Sequence, residues 1–207
     1  MVREILVVKR DVLFKDNFFT GYVPVDNTNF LDVILNNFEY RERNDELEHD
    51  MNYKQIVSYI LIVNPVSKKI FAYRRATDQN YNEKRLRNKW SCGIGGHIDK
   101  DTEGDSENPI KDGIMRELME EVKMNNYSVP TIIGLVTLDN KMIEHYHVGV
   151  VCILETGENV EKNDDEMAEG WFMSIEEVEK LFSDTSNEIE LFTQLSWNFI
   201  KDYLTKL

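Results

Sequence analysis

The stretch Arg116-Glu117-Leu118-Met119-Glu120-Glu121-Val122 sets four charged and three apolar residues within about two turns of a helix. Each residue on a helix turns about 100°, so Glu117, Glu120 and Glu121, spaced i, i+3 and i+4, share one face. Ile114, Met115, Leu118 and Val122 share the opposite side. The pattern predicts a helix packed along one stripe and carrying three carboxylates on the other. Like charges at this spacing cost a few tenths of a kcal/mol per pair, which does not forbid the arrangement. Two readings follow from these residues. The face is either a solvated acidic surface or a site for a hard cation such as Mg²⁺ or Mn²⁺, which bind carboxylate oxygens.

Working outward, Asn108 is a suitable N-cap and Pro109 a suitable first residue, so the helix is expected over Pro109 to Met124. Upstream, Trp90 to Ile94 reads as a short strand ending at Gly95-Gly96. Gln55 to Val63 and Lys69 to Tyr73 read as strands joined by a turn at Asn64-Pro65-Val66-Ser67. Downstream, Thr131 to Leu138 and His145 to Leu154 read as strands. Ser174-Ile175-Glu176-Glu177 is a capping box opening a helix, and helical spacing resumes from Ile189 to Tyr203. Toward the N-terminus, Ile5 to Phe14 predicts one or two short strands. Asn27 to Phe38 predicts a short helix, and Asp45 to Asp50 an exposed acidic connection. Strands mixed with helices indicate an α/β or α+β layered fold. Residues 1–50 are expected to be an N-terminal extension packed on a main domain, residues 51–207, that ends in a helix.

Composition sets outer bounds. The chain has 207 residues, 24 Lys+Arg against 38 Asp+Glu, a net charge of −14 and 42% hydrophobic residues. That acidity argues against tracking a nucleic-acid polymer, whose binding is driven by basic side chains replacing counterions. It leaves a nucleotide substrate open, because a divalent cation bridges two anions. No apolar run approaches the roughly 20 residues needed to span a bilayer, and charges interrupt the first eleven residues, so a cytoplasmic protein with no membrane partner is expected. Two cysteines, Cys92 and Cys152, fit a reducing compartment.

Gly96, the loop after it and the carboxylate helix together resemble the Nudix box, G-x5-E-x7-R-E-U-x-E-E-x-G-U, where U is a bulky aliphatic residue. Gly96 matches the leading glycine. Arg116, Glu117, Leu118, Glu120, Glu121 and Met124 match the second half. With the flanking strands and the Trp171 segment, the similarity spans about residues 53 to 182. There are departures. Nineteen residues instead of 13 separate Gly96 from Arg116, an insertion of six. The first glutamate is displaced: Glu103 is one residue late from Gly96, Glu107 is one early from Arg116, and Asn108 holds the usual place. The partner of Arg116 is therefore not fixed. Lys123 replaces the late glycine, and Asn125 or Asn126 is expected to supply a left-handed helix end. The resemblance implies an α/β/α sandwich with a mixed sheet. It also implies hydrolysis of a pyrophosphate linkage in a nucleoside diphosphate derivative with Mg²⁺ or Mn²⁺. Metal ligands would be Glu117, Glu120, Glu121 and the Gly96 carbonyl, with Glu117, Glu120 and Glu166 as catalytic groups.

Other residues carry competing readings. Arg74 and Arg75 head a basic segment, residues 74 to 89, which is either a phosphate-binding arm or a solvated loop. Asp99 to Asp105 starts like a calcium loop, but Ile110 occupies its twelfth position where a bidentate glutamate belongs, so an exposed insertion is expected. His97 is expected to order its turn. His145 and His147 share a strand face, and Glu144, Asp165 and Glu169 are further candidate acids. Two other activities remain: a non-catalytic nucleotide sensor, and a prenyl diphosphate isomerase, for which Cys92 lies three residues from the required place. The sequence leaves a homodimer open and does not specify the diphosphate substrate.

Overall fold

The computed structural model describes residues 2–15, 17–77, 84–138, 146–163 and 165–207. Its spine is β4 (Tyr53–Asn64), which pairs in parallel with β10 (His147–Glu155) at nine positions, from Gln55 opposite His147 to Val63 opposite Glu155. On the other side β4 pairs antiparallel with β5 (Lys69–Arg75). The sheet continues to β12 (Met167–Met173) beyond β5, and through β9 (Thr131–Thr137) to β2 (Gly21–Pro24) beyond β10. β1 (Glu4–Lys9) pairs with both β4 and β3 (Glu39–Glu42). One parallel pair within antiparallel neighbours makes the sheet mixed.

β4 is covered on both faces, which explains its nearly continuous apolar run. Alternation sends Ile56, Ile60 and Ile62 into one core, with Ile110, Ile114 and Leu118 of α4 (Pro109–Glu121). It sends Tyr59, Leu61 and Val63 into the other, with Val178 of α5 (Ile175–Ser183) and Trp197, Ile200 and Leu204 of α6 (Leu191–Lys206). The result is the expected α/β/α sandwich.

Several local expectations change. The strand at Ile5 stops at Lys9, and Arg10–Phe14 forms α1. Phe14 there packs edge-on against Phe18, Phe19 and Phe30, a tertiary contact that overrides strand propensity. α2 is Phe30–Asn37. The Trp90 strand divides into β6 (Trp90–Ser91) on β5 and β7 (Gly93–Ile94) on β4, separated by Cys92. The helix α4 ends at Glu121 rather than Met124. Val122 is extended, at φ −133°, and runs into β8 (Val122–Lys123), which pairs with β11 (Glu161–Lys162). The left-handed ending expected at Asn125 or Asn126 is absent, since neither has a positive φ. Their amides instead donate to Glu158 Oε2 at 2.8 and 3.1 Å. A helix that leaves directly into a strand needs no glycine there, which accounts for Lys123.

Candidate active site

Two glycines build the turn that faces α4. Gly95 has φ +133°, and a Cβ there would lie 2.5 Å from the carbonyl oxygen of Ser58. At Gly96 a Cβ would lie 2.7 Å from Glu117 Oε1, so the absent side chain makes room for that carboxylate. Gly95 N donates to Glu121 Oε1 at 2.8 Å, tying turn to helix. The Gly96 carbonyl, expected as a metal ligand, already accepts from Ser58 N at 2.8 Å and Ser58 Oγ at 3.3 Å.

Arg116 organises the neighbouring groups. Its Nε donates to Glu103 Oε1, Nη1 to Glu117 Oε1 and Glu120 Oε2, and Nη2 to the His97 carbonyl, each at 2.8 Å. Glu103 is only 2% exposed, and its second oxygen accepts from Asp99 N at 2.7 Å. The displaced glutamate is therefore Glu103, set on the short helix α3 (Lys100–Glu103). Six residues precede it after Gly96 and twelve follow before Arg116, so the insertion is one residue before and five after. The insertion is mostly exposed, as expected, but it is anchored at two points: Asp99 is bound by Arg3 through two bonds of 2.9 Å, and Glu103 is buried. The same contacts and the helical turn leave no calcium loop.

Burial raises the Glu117 carboxyl to about 7, against the lowering pull of Arg116, with Glu120 and Asp99 adding repulsion. Burial alone would lower Arg116, but hydrogen bonds and charge from Glu103 and Glu117 hold it up. Burial first, then nearby arginines, hold His97 well below its ordinary value. The neutral ring pairs with Gln55, its Nε2 donating to Oε1 at 2.8 Å.

These groups border a cavity of about 440 Å³ that takes in Glu117, Glu120, Glu121 and Glu166. Arg75 lines it too, largely buried, with its guanidinium 5.3 Å from the Tyr73 ring centre and 3.8 Å from Glu190. Arg74 does not. As the adjacent strand residue it points to the other face, pairing with Glu169 at 2.7 Å and Asn88 at 3.1 Å. That contact also places Glu169 away from the cavity. The sequence reading missed Arg3, Arg43 and Glu190 in the cavity wall. The first two come from far along the chain and carry no local motif. Glu144 and His145 lie outside the described residues, and His147 is buried with its ring 5.4 Å from His97. Cys92 and Cys152 are buried, and burial pushes both thiols up.

Three carboxylates beside a glycine turn are hard oxygen donors, and that donor set fits Mg²⁺ or Mn²⁺. Among the described residues no three acidic, histidine or cysteine side chains already converge as a finished coordination shell. Arg116 instead bridges Glu117 and Glu120. The Glu120 side chain is 57% exposed, so a rotamer change releases it.

The NUDIX domain family model matches residues 53–195. This chain belongs to the NUDIX family. Protein YmaB of Bacillus subtilis (strain 168) is 30% identical over 209 residues, covering 97% of this chain and 96% of that one. The crystal structure of the Nudix protein Tm1382 shares the fold with a TM-score of 0.76 and 24% identity, over 97% of this chain and 99% of that one. A bifunctional NMN adenylyltransferase/ADP ribose pyrophosphatase from Francisella tularensis has a TM-score of 0.52 and 10% identity, over 73% of this chain and 41% of that one. Family and fold together place the chain among the Nudix hydrolases, which generally use divalent metals. No helix among the described residues is long and apolar enough to cross a membrane.

Proposed function

We propose that this Nudix protein hydrolyses a pyrophosphate linkage in a nucleoside diphosphate derivative, dependent on Mg²⁺ or Mn²⁺. The observation that carries this reading is the meeting of Glu117, Glu120 and Glu121 with the Gly95-Gly96 turn in one cavity that also holds Arg75. The three carboxylates are the proposed metal ligands. A bound divalent ion supplies neutralisation of phosphate charge and a more acidic water. Arg75 binds a phosphate oxygen through charge-assisted hydrogen bonds. Glu120 and Glu166, both exposed at the cavity, are the proposed proton acceptors. Arg116 and Glu103 hold Glu117 in place, and the neutral His97 holds the turn through Gln55.

The isomerase reading has no support, because Cys92 is buried in the opposite core and does not line the cavity. A sensor has no need of the complete carboxylate face. The test is a panel of ADP-ribose, nucleoside triphosphates, dinucleoside polyphosphates and sugar nucleotides with either metal. With the substrate so found, Glu120→Gln is expected to fold normally, bind the metal more weakly and lose roughly 10²-fold or more in turnover. Glu176→Gln, on α5, is the neutral control. Full activity in Glu120→Gln would remove the metal-site assignment. No hydrolysis of any compound would favour the sensor.

A further inference from the structure

The cavity wall holds a carboxylate that differs from those of α4. Glu117 and Glu120 accept from Arg116, and Glu121 accepts from Gly95 N. Glu190 also lines the cavity and is only 9% exposed. Its cation is Arg75, whose Nη2 lies 3.8 Å from Oε2, beyond hydrogen-bonding distance. Among the described residues, Oε2 accepts no hydrogen bond. A charged oxygen shut off from water and left without a donor is costly, and the adjoining cavity is where a donor can be brought to it. The backbone around Glu190 is fixed. Its N donates to the Trp90 carbonyl, and Trp90 N donates to the Glu188 carbonyl, each at 2.8 Å. Glu190 directly precedes α6, yet its side chain does not cap that helix. The next two residues, Leu191 and Phe192, line the cavity too, and the Phe192 ring stands edge-on to Tyr59 at 5.6 Å. An apolar wall thus adjoins a group that accepts hydrogen bonds and cannot donate them. Such a group attracts N–H and repels carbonyl oxygen. A flat ring bearing an amino group satisfies both.

We propose that Glu190, beside the wall formed by Leu191 and Phe192, is a specificity-determining residue that accepts a hydrogen bond from an exocyclic amino group on the nucleobase of the substrate. This deepens the hydrolase reading and rests on it, since that reading makes the substrate a nucleoside diphosphate derivative. The preferred bases are then those with an amino group, and bases that present a carbonyl or hydrogen in its place are disfavoured. Discrimination comes from one charged acceptor, whereas phosphate binding and hydrolysis belong to the other end of the cavity.

The test measures equilibrium binding of nucleoside monophosphates by calorimetry with Mg²⁺ present. These probes lack the linkage to be cleaved, so turnover does not intervene. Three matched pairs serve: GMP against IMP, AMP against IMP, and CMP against UMP. In each, the first member carries an amino group where the second carries hydrogen or oxygen. Wild-type protein is expected to prefer the amino member of at least one pair by about tenfold or more, the scale of a hydrogen bond to a charged group. Glu190→Gln is neutral and both accepts and donates, so it should cut that preference to about threefold or less. Glu190→Asp keeps the charge but withdraws it by one methylene, and should also weaken the preference. Thermal melting monitors folding, and Glu190→Asp decides the matter where Glu190→Gln does not fold. A residue that serves only as counter-ion to Arg75 gives a different result: both members of a pair weaken alike and their ratio stays constant. That result, equal binding within every pair, or no binding of any probe overturns the assignment. Hydrolysis of the diphosphate derivatives of the same nucleosides, with Mg²⁺ or Mn²⁺, separates the two proposals. Hydrolysis without a Glu190-dependent preference removes the base contact alone, whereas a Glu190-dependent preference without hydrolysis of any diphosphate removes the hydrolase reading alone.

Discussion

Glu103 accepts with both oxygens, from Arg116 Nε and from Asp99 N, at a position that water scarcely reaches. Glutamine there keeps one acceptor and turns an N–H toward another donor. Breaking a buried ion pair from one side costs roughly 3–5 kcal/mol. Arg116 keeps Glu117, Glu120 and the His97 carbonyl, so Glu103→Gln is expected to lose about 3 kcal/mol, the lower end of that range. Urea unfolding with an unchanged slope would measure it, and a loss under about 1 kcal/mol would show that the pair is not integral. This residue also marks a limit of the sequence. The carboxylates of α4 were legible because helical geometry fixes their common face. Glu103 was not, because an insertion on either side detaches its place in space from its spacing in the chain. A second prediction concerns Glu117, whose carboxyl is raised to about 7 by burial. A raised folded value binds the proton more tightly than the unfolded chain does. Its stabilising contribution is therefore complete below about pH 4.5 and is lost as pH rises toward 7. In metal-free protein, the stability of wild type relative to Glu117→Gln should fall across that interval. A difference that stays flat from pH 4.5 to 7.5 would contradict the raised value.

At the scale of elements, α4 is a helix whose two ends have separate duties. Asn108 Oδ1 accepts from Lys111 N at 3.1 Å, a cap remote from the carboxylates. Glu121, at the other end, accepts from Gly95 N. Asn108→Ala should cost about 1 kcal/mol in stability and leave turnover close to wild type. Gly95→Ala should behave differently. It strains a φ of +133° and drives a Cβ into the Ser58 carbonyl, so it should cost more than about 2 kcal/mol and reduce turnover by shifting the turn against Glu121. Similar turnover in the two variants would argue that the turn and the carboxylates are not coupled. The pattern of success in the sequence reading follows the same division. β4, β5 and the cap of α4 are declared by local chemistry: apolar runs, the Asn64 turn, and Asn108-Pro109. The helix at Arg10–Phe14 depends on an aromatic cluster with Phe18, Phe19 and Phe30, whose packing is not declared by strand propensity. The division at Cys92 and the direct exit from α4 into β8 depend on strands elsewhere in the chain, β4 and β5 for the first and β11 for the second.

For the whole molecule, the main question is whether residues 1–50 are an appendage or part of the sheet. The family match begins at residue 53, yet β1 lies beside β4 and β2 extends the sheet on β9. Ile5, Leu6, Val7 and Val8 are fully buried, and so is Lys54 of β4, whose ammonium lies 5.6 and 5.9 Å from the rings of Phe14 and Phe18. Arg3 and Arg43 reach the cavity from the same segment. A chain of residues 51–207 would leave Lys54 without these rings and open the backbone of β4 where β1 now pairs. Losing four buried aliphatic side chains at about 1.5–3 kcal/mol each removes roughly 6–12 kcal/mol. A typical domain has only about 5–15 kcal/mol of net stability. The truncated chain is therefore expected to lack a cooperative thermal transition and to self-associate through the exposed strand. Circular dichroism melting and sedimentation would check this. A monomeric 51–207 fragment that unfolds cooperatively near the full-length temperature would show that the matched region stands alone. The contribution of residues 1–50 would then be confined to the arginines they bring to the cavity.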